Sequence, residues 1–147
     1  MDMTNEEYSQ YVQKKSPDSP LWTDMLKAFL VGGIICCIGQ ALIALFKHFD
    51  LSTQDAATAT SITLVFLGAF FTGLGLYDSI AKFAGAGTLV PITGFANSVV
   101  SPALEFKSEG FITGTAAKMF IIAGPVIVFG ISSSVIYGII LVLFGLA

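Results

Sequence analysis

Three long runs of uncharged, mostly apolar residues alternate with polar segments along the chain. They extend from Ala28 to Phe46, from Ala57 to Tyr77 and from Met119 to Ala147. About 20 apolar residues in a helix, rising roughly 1.5 Å each, cover the hydrocarbon core of a bilayer. Each run therefore predicts a membrane-spanning helix, and Pro125 predicts a kink near the start of the third, because proline removes a helical hydrogen bond.

Residues 1–24 are polar and predict a short helix followed by a linker. Thr4 and Glu7 have the spacing of a capping box. One face of the predicted helix is apolar, at Tyr8, Tyr11 and Val12. The prolines of SPDSP (Ser16 to Pro20) should end this helix. The segment is either an interfacial tail or a docking helix for a soluble partner, and its acidic start is unlike a cleaved signal peptide.

Residues 79–104 are also largely apolar, but they combine helix breakers with polar groups. The breakers are Gly85, Gly87, Pro91 and Gly94, and the polar residues around them are Thr88, Thr93, Asn97 and Ser98. Thr93 is placed to cap a half-helix that runs from Phe95 to about Leu104. Irregular backbone is tolerated at membrane depth only where it is buried in protein or lines a wet cavity. The pattern therefore predicts a re-entrant hairpin.

The lysines indicate on which side this stretch leaves the membrane. If it returns to its side of entry, only Lys47 lies opposite the other six lysines, whereas a full crossing divides them four against three. The six are Lys14, Lys15, Lys27, Lys82, Lys107 and Lys118. The positive-inside rule favours the first arrangement. We predict an all-α integral membrane protein with three transmembrane helices and a re-entrant helical hairpin (residues 25–147), with four transmembrane helices as the alternative.

Composition agrees with a membrane protein and narrows the possible functions. Hydrophobic residues make up 54% of the chain and charged residues 12%, against roughly 25% charged in soluble domains. The net charge of -3, without a basic tract, argues against a nucleic-acid partner. There is one histidine, His48, which we expect to be solvated, and no acidic residue falls mid-span. We therefore expect no enzyme activity, no cofactor and no metal site, and Cys36 and Cys37 as packing residues.

Two sets of residues are candidates for function or assembly. Small residues on the spans predict close helix packing, at Gly32, Gly33, Ala69, Gly73, Gly130, Ser134 and Gly138. A path for an anion is predicted at Lys82, Thr88, Thr93, Asn97 and Ser98. The N-terminus of the returning half-helix would offer free N–H groups and a positive dipole end to an anion, as discontinuous helices do in transport proteins. Asp78 and Lys82 are spaced to pair on a helix.

Two segments resemble the SpoVA family of spore-forming bacteria. They are Tyr11 to Gln40, YVQKKSPDSPLWTDMLKAFLVGGIICCIGQ, and Gly85 to Gly130, GAGTLVPITGFANSVVSPALEFKSEGFITGTAAKMFIIAGPVIVFG. The resemblance implies membrane passage of dipicolinic acid together with calcium, inward during spore formation and outward at germination. It also implies residence in the inner membrane of the forespore and spore, and a channel that opens under membrane tension.

The same resemblance implies partners, namely a second, related membrane subunit and a soluble thiolase-like subunit. Three spans rarely enclose a conduction path alone, so we expect an oligomer of this chain or an assembly with the sister subunit. Two other functions fit the sequence. An alternating-access carrier would show saturable transport stimulated by counter-flow, and a non-conducting membrane scaffold would keep its function without the polar groups of the hairpin.

Overall fold

The computed structural model describes residues 4–16 and 19–145, and within these ranges the chain is helical with no β-strand. The seven α-helices are α1 Asn5–Lys15, α2 Leu21–His48, α3 Thr53–Gly73, α4 Leu76–Ala84, α5 Ala86–Leu89, α6 Ile92–Glu105 and α7 Ala117–Leu143. A 3-10 turn at Lys107–Glu109 and a π-helical segment at Phe111–Ala116 lead directly into α7. The prediction of an all-α protein is confirmed.

Within the part of the chain that the structure describes, three helices are long and apolar enough to cross a membrane: Leu21–His48, Thr53–Gly73 and the continuous helical segment Phe111–Leu143. The three predicted spans are thereby confirmed, although their boundaries differ. The first extends beyond Ala28 and Phe46 at both ends. The last two residues of the third predicted span, 146 and 147, lie outside the described ranges.

The second span ends at Gly73, so its predicted end at Tyr77 is wrong. The amides of Leu74 and Gly75 donate to the carbonyls of Phe70 and Thr72, and Gly75 adopts a left-handed φ of 72°. A glycine in this conformation is a common helix stop. Because the chain turns there, Tyr77 belongs to a new helix, α4, which begins at Leu76.

The N-terminal helix α1 has the predicted capping box. The Thr4 amide donates to the Glu7 carboxylate at 2.9 Å, and the Glu7 amide donates to Thr4 Oγ1 at 3.3 Å. The apolar face at Tyr8, Tyr11 and Val12 is exposed. The predicted break at SPDSP falls partly on residues 17 and 18, which lie outside the described ranges.

The capping box makes the titration of Glu7 depend on Thr4. The hydrogen bond from the Thr4 backbone, followed by that from its side chain, holds the pKa of Glu7 below its ordinary value. The carboxylate therefore stabilises α1 above the unfolded-state pKa, and this contribution is lost as pH falls through the lowered pKa. We expect Thr4→Val to raise the Glu7 midpoint, measured by NMR of the glutamate carboxyl carbons in nanodiscs. An unchanged midpoint would contradict the capping geometry.

Helices α4, α5 and α6 form a hairpin that returns beside α3. Thr93 lies opposite Gly68, where a Cβ built on the glycine would be 2.8 Å from the Thr93 carbonyl oxygen. Further along both helices, Thr72 Oγ1 is 2.9 Å from Asn97 Oδ1. Helix α6 thus runs parallel to α3, toward the side of the membrane on which α3 ends. Its 14 residues extend about 21 Å, which is less than the roughly 30 Å hydrocarbon core, so the geometry is that of a re-entrant hairpin.

The tip of the hairpin rests against α2. A Cβ on Gly87 would lie 2.8 Å from the Ala28 Cα, and one on Gly32 would lie 3.3 Å from the Gly87 carbonyl oxygen. Pro91, at the turn, shares a groove with Cys36, about 14 Å along α2 from Lys27. The tip therefore reaches roughly half the depth of the hydrocarbon core.

The predicted packing residues divide into those with and without close neighbours in the chain. Gly32 packs closely, against Gly87, whereas a Cβ would meet nothing within 4 Å at Gly33, Gly73, Gly130 and Gly138. Ala69 is half-buried and Ser134 is exposed. The close approach of α3 to the hairpin occurs at Gly68, one residue from the predicted Ala69. Helix α7 continues through Pro125 without interruption.

Cysteine labelling tests this topology. In a background without Cys36 and Cys37, we expect Ser16→Cys and Ser108→Cys to react with a membrane-impermeant reagent from the same side of sealed vesicles. Thr53→Cys, at the start of α3, should react only from the other side. Labelling of Ser108→Cys and Ser16→Cys from opposite sides would mean that the hairpin crosses the membrane.

Candidate functional site

The tip of the hairpin is held by a buried tyrosine. The Tyr77 hydroxyl lies 2.9 Å from the Thr88 carbonyl oxygen and 3.0 Å from Thr93 Oγ1. Relative exposures are 5% for Tyr77, 1% for Thr88 and 7% for Thr93. A hydroxyl carries one proton and can also accept, so Tyr77 satisfies both groups by donating to the carbonyl and accepting from Thr93. The Thr88 hydroxyl donates to the Gly85 carbonyl at 3.0 Å, which completes a closed polar network.

Thr93 is not the helix cap that its spacing predicted. Helix α6 begins at Ile92, and its N-cap is Pro91, in extended geometry and without a side-chain cap bond. Proline suits this position, because a missing N–H costs nothing where the helix would leave that donor free. Thr93 consequently falls in the first turn, and its hydroxyl bonds to Tyr77 instead of to the backbone.

The N-terminus of α6 is covered by α5. A Cβ on Gly94 would overlap the Thr88 carbonyl oxygen and would lie 2.7 Å from the Leu89 carbonyl oxygen. Such backbone contact is possible only because residue 94 has no side chain. The helix end that was predicted to face an anion is therefore closed by protein in this conformation, and solute would reach it only after α5 and α6 separate.

A polar cavity of about 230 Å³ lies on the other side of α6, between α3 and α4. Its lining includes Asn97, Thr72, Asp78 and Ser101. Asn97 is half-buried and contacts Thr72, whose hydroxyl also donates to the Gly68 carbonyl at 2.6 Å. Polar side chains thus continue along α6 from the buried tip toward the surface.

Lys82 and Ser98 lie apart from this network. Lys82 Nζ forms an exposed ion pair with Asp78 at 2.7 Å, as the spacing predicted, and the hydrogen bond and charge of Asp78 raise the pKa of Lys82. Lys82 also lines a surface pocket of about 370 Å³, together with Asp24 and Phe83. The Ser98 hydroxyl donates to the Phe95 carbonyl of its own helix at 2.8 Å.

Lysines gather at the end of the molecule where the hairpin begins and ends. Lys27 Nζ lies 5.5 Å from the centre of the Phe83 ring, and Lys118 Nζ lies 4.2 Å from that of Phe106. These contacts place the start of α2, the hairpin and the start of α7 on one side, with Lys47 at the far end of α2. The arrangement agrees with the lysine distribution from which the re-entrant hairpin was predicted.

The sequence interpretation missed the central residue of the network, Tyr77. A signal was present, because Tyr77, Ile80 and Ala84 recur at helical spacing on one face of residues 76–84. Among the described residues, no cluster of histidine, cysteine and acidic side chains could hold a metal ion. Cys36 and Cys37 are unbridged and exposed.

Comparison with known proteins places these features in a family. Residues 24–140 match the family model described as SpoVAC/SpoVAEB sporulation membrane protein. The chain is 50% identical over 141 residues to Stage V sporulation protein AC of Bacillus subtilis (strain 168), and the match covers 94% of each chain. No solved structure matches.

Proposed function

Because this chain belongs to the SpoVAC/SpoVAEB family of sporulation membrane proteins, as its resemblance predicted, we propose that it is a channel subunit for dipicolinic acid. The anion would pass with calcium, inward during spore formation and outward at germination. The inner membrane of the spore is the proposed location.

The observation that supports a conducting role is the hairpin itself. It holds hydroxyl, amide and carbonyl groups about halfway into the membrane, where unpaired polar groups cost several kcal/mol each. A scaffold would need no such segment, since three apolar spans suffice for anchoring. Re-entrant and broken helices persist where a solute must meet polar groups at depth.

The conformation described is the closed state of the proposed channel. Opening requires the tip to leave α2 and the α5 backbone, which breaks the bonds of Tyr77 and uncovers the N-terminus of α6. The freed hydroxyl of Thr93, the amide of Asn97 and, once it leaves the Gly85 carbonyl, the hydroxyl of Thr88 can donate to the carboxylates of dipicolinate. Lys82 lies near the entrance, and once it exchanges Asp78 for the carboxylate of the solute, its positive charge would hold an anion there. Calcium would travel as the counter-charge of the dianion.

The same geometry supports the proposal that membrane tension opens the channel. Moving the hairpin out from between α2 and α3 increases the cross-section of the protein in the membrane plane, and tension favours the larger state. The remaining wall must come from other chains. The small residues Gly130, Ser134 and Gly138 on α7 suit close approach of a neighbouring helix. This helix would belong to a second copy or to the related membrane subunit, with the thiolase-like subunit bound outside the membrane.

Release of calcium dipicolinate from liposomes tests this proposal, with and without osmotic downshock. Wild type should release on downshock, and Asn97→Leu should slow release about tenfold. Losing one hydrogen bond to a charged group removes roughly 1.5–3 kcal/mol, and 1.4 kcal/mol is a factor of ten. Gln40→Leu is the matched control, because this exposed amide lies on α2, and it should release like wild type. Equal release by Asn97→Leu, correctly folded by size exclusion, would contradict the assigned route.

The other candidate functions give different results in the same liposomes. Saturable exchange stimulated by dipicolinate on the opposite side would identify a carrier. Absence of release from the purified chain calls for reconstitution with the related membrane subunit. If the pair releases equally well after the polar groups of the hairpin, Thr88, Thr93, Asn97 and Ser98, are all replaced, the chain is a scaffold.

A further inference from the structure

A second cavity of about 230 Å³ lies between α2, α3 and α4, and none of the described residues that line it has a buried side-chain polar atom without a hydrogen-bond partner. Its walls include Val31, Ile35, Leu64 and Leu67. The Tyr77 network also lines this cavity, and each of its buried side-chain polar atoms has a hydrogen-bond partner. Apolar cavities of order 150 Å³ stay dry and bind small apolar molecules. Water and polar solutes are therefore poor occupants.

The cavity opens sideways at membrane depth. Its mouth is formed by the exposed side chains of Ile34, Ile38, Phe71 and Ile80. Ile34 and Ile38 lie about 10 and 17 Å along α2 from Lys27, at the end where lysines gather. The hydrocarbon core is roughly 30 Å thick. A phospholipid with its headgroup at the lysine end would thus have an acyl chain that reaches the mouth.

We propose that this cavity is a binding site for one acyl chain of a membrane phospholipid. A neighbouring helix, about 10–12 Å wide with its side chains, is too broad to enter, so protein could contribute only a single side chain. A flexible hydrocarbon chain can fill the space, and it restores the packing that an empty cavity would lose. This inference concerns lipid binding and holds whether or not the chain conducts solute.

Photolabelling in nanodiscs tests the site. The discs contain phosphatidylethanolamine, phosphatidylglycerol and a trace of phosphatidylglycerol with a diazirine near the end of one acyl chain. In wild type we expect adducts on Ile35 and Leu64, inside the cavity. Val31→Phe and Leu67→Phe fill the cavity from two different helices and should each abolish these adducts. Val65→Phe, on α3 but outside the cavity lining, should leave them intact.

Three outcomes would overturn the assignment. The first is an absence of adducts on Ile35 and Leu64 in wild type. The second is an unchanged yield of these adducts in both Val31→Phe and Leu67→Phe. Both variants must be monodisperse and labelled as strongly as wild type on Phe129, an exposed residue of α7. The third is a chain-to-chain crosslink, in place of a lipid adduct, from benzoylphenylalanine introduced at Ile34, because it would place a side chain of a neighbouring subunit at the mouth of the cavity.

Discussion

Alanine at Gly94 or Gly87 should disrupt the packing of the hairpin, at Gly94 between α5 and α6 within it and at Gly87 between the hairpin and α2. A Cβ at residue 94 would overlap the Thr88 carbonyl and lie 2.9 Å from the Leu89 Cα, and a Cβ at residue 87 would lie 2.8 Å from the Ala28 Cα. The obstructing atoms are backbone, so no rotamer change relieves the contact. Overpacking of this kind costs about 1–3 kcal/mol, and sometimes more. Either substitution should therefore lower the thermal stability of the protein in detergent.

A matched glycine separates this effect from a general intolerance to alanine. A Cβ on Gly33 meets no atom within 4 Å, and Gly→Ala within a helix improves helix propensity by about 1 kcal/mol. Gly33→Ala should thus melt at or above the wild-type temperature, measured by fluorescence-detected size exclusion after heating. If Gly94→Ala and Gly87→Ala melt at the same temperature as Gly33→Ala, the tip does not pack as described.

Removing one hydroxyl, in Tyr77→Phe, should ease opening of the hairpin. The substitution leaves the Thr88 carbonyl and the Thr93 hydroxyl buried without their partner, which costs about 1–3 kcal/mol. The penalty falls on the closed state, because both groups are solvated once the hairpin moves. If opening follows hairpin movement, the tension needed to open the channel should fall. Tyr137→Phe is the matched control, since this tyrosine is 63% exposed on α7.

Two measurements test the effect of Tyr77→Phe, one on the stability of the hairpin and one on opening. Hydrogen exchange of the hairpin amides, in nanodiscs, should be faster in Tyr77→Phe than in wild type or Tyr137→Phe. Patch recordings from liposomes should show a lower threshold tension in the same variant alone. Faster exchange with an unchanged threshold would mean that the network holds the hairpin without controlling conduction. Unchanged exchange would contradict the network itself.

Run length and charge placement predict the fold of this chain well, because the bilayer imposes both. A span must be about 20 apolar residues long, so the long apolar runs predict three spans. Lysines concentrate on one side of the membrane, so their positions predict that the hairpin returns to its side of entry. The end of the second span was missed because Leu74 to Tyr77 remain apolar. The stop depends on the left-handed backbone of Gly75, which hydropathy does not report.

The site was predicted less completely, because partners of polar groups depend on packing. Thr88 and Thr93 are polar residues at depth, and the sequence indicates that such groups need partners. It does not indicate whether the partner is solute, water or Tyr77, since Tyr77 is 11 and 16 residues away. The sequence likewise does not indicate whether Ala69 or Gly68 packs against the hairpin. Adjacent residues point about 100° apart on a helix, and only the rotation of α3 decides which one faces the hairpin.

The most direct test of the hairpin as the solute route is its access to water during opening. Thr93→Cys, in a background without Cys36 and Cys37, should react slowly with a charged thiosulfonate in resting liposomes, because residue 93 is buried, and rapidly after downshock. Dipicolinate should slow the rapid reaction, and modification should block release. Gln40→Cys should remain unreactive in both states. If wild type releases dipicolinate while Thr93→Cys stays unreactive under tension, the route does not follow the hairpin.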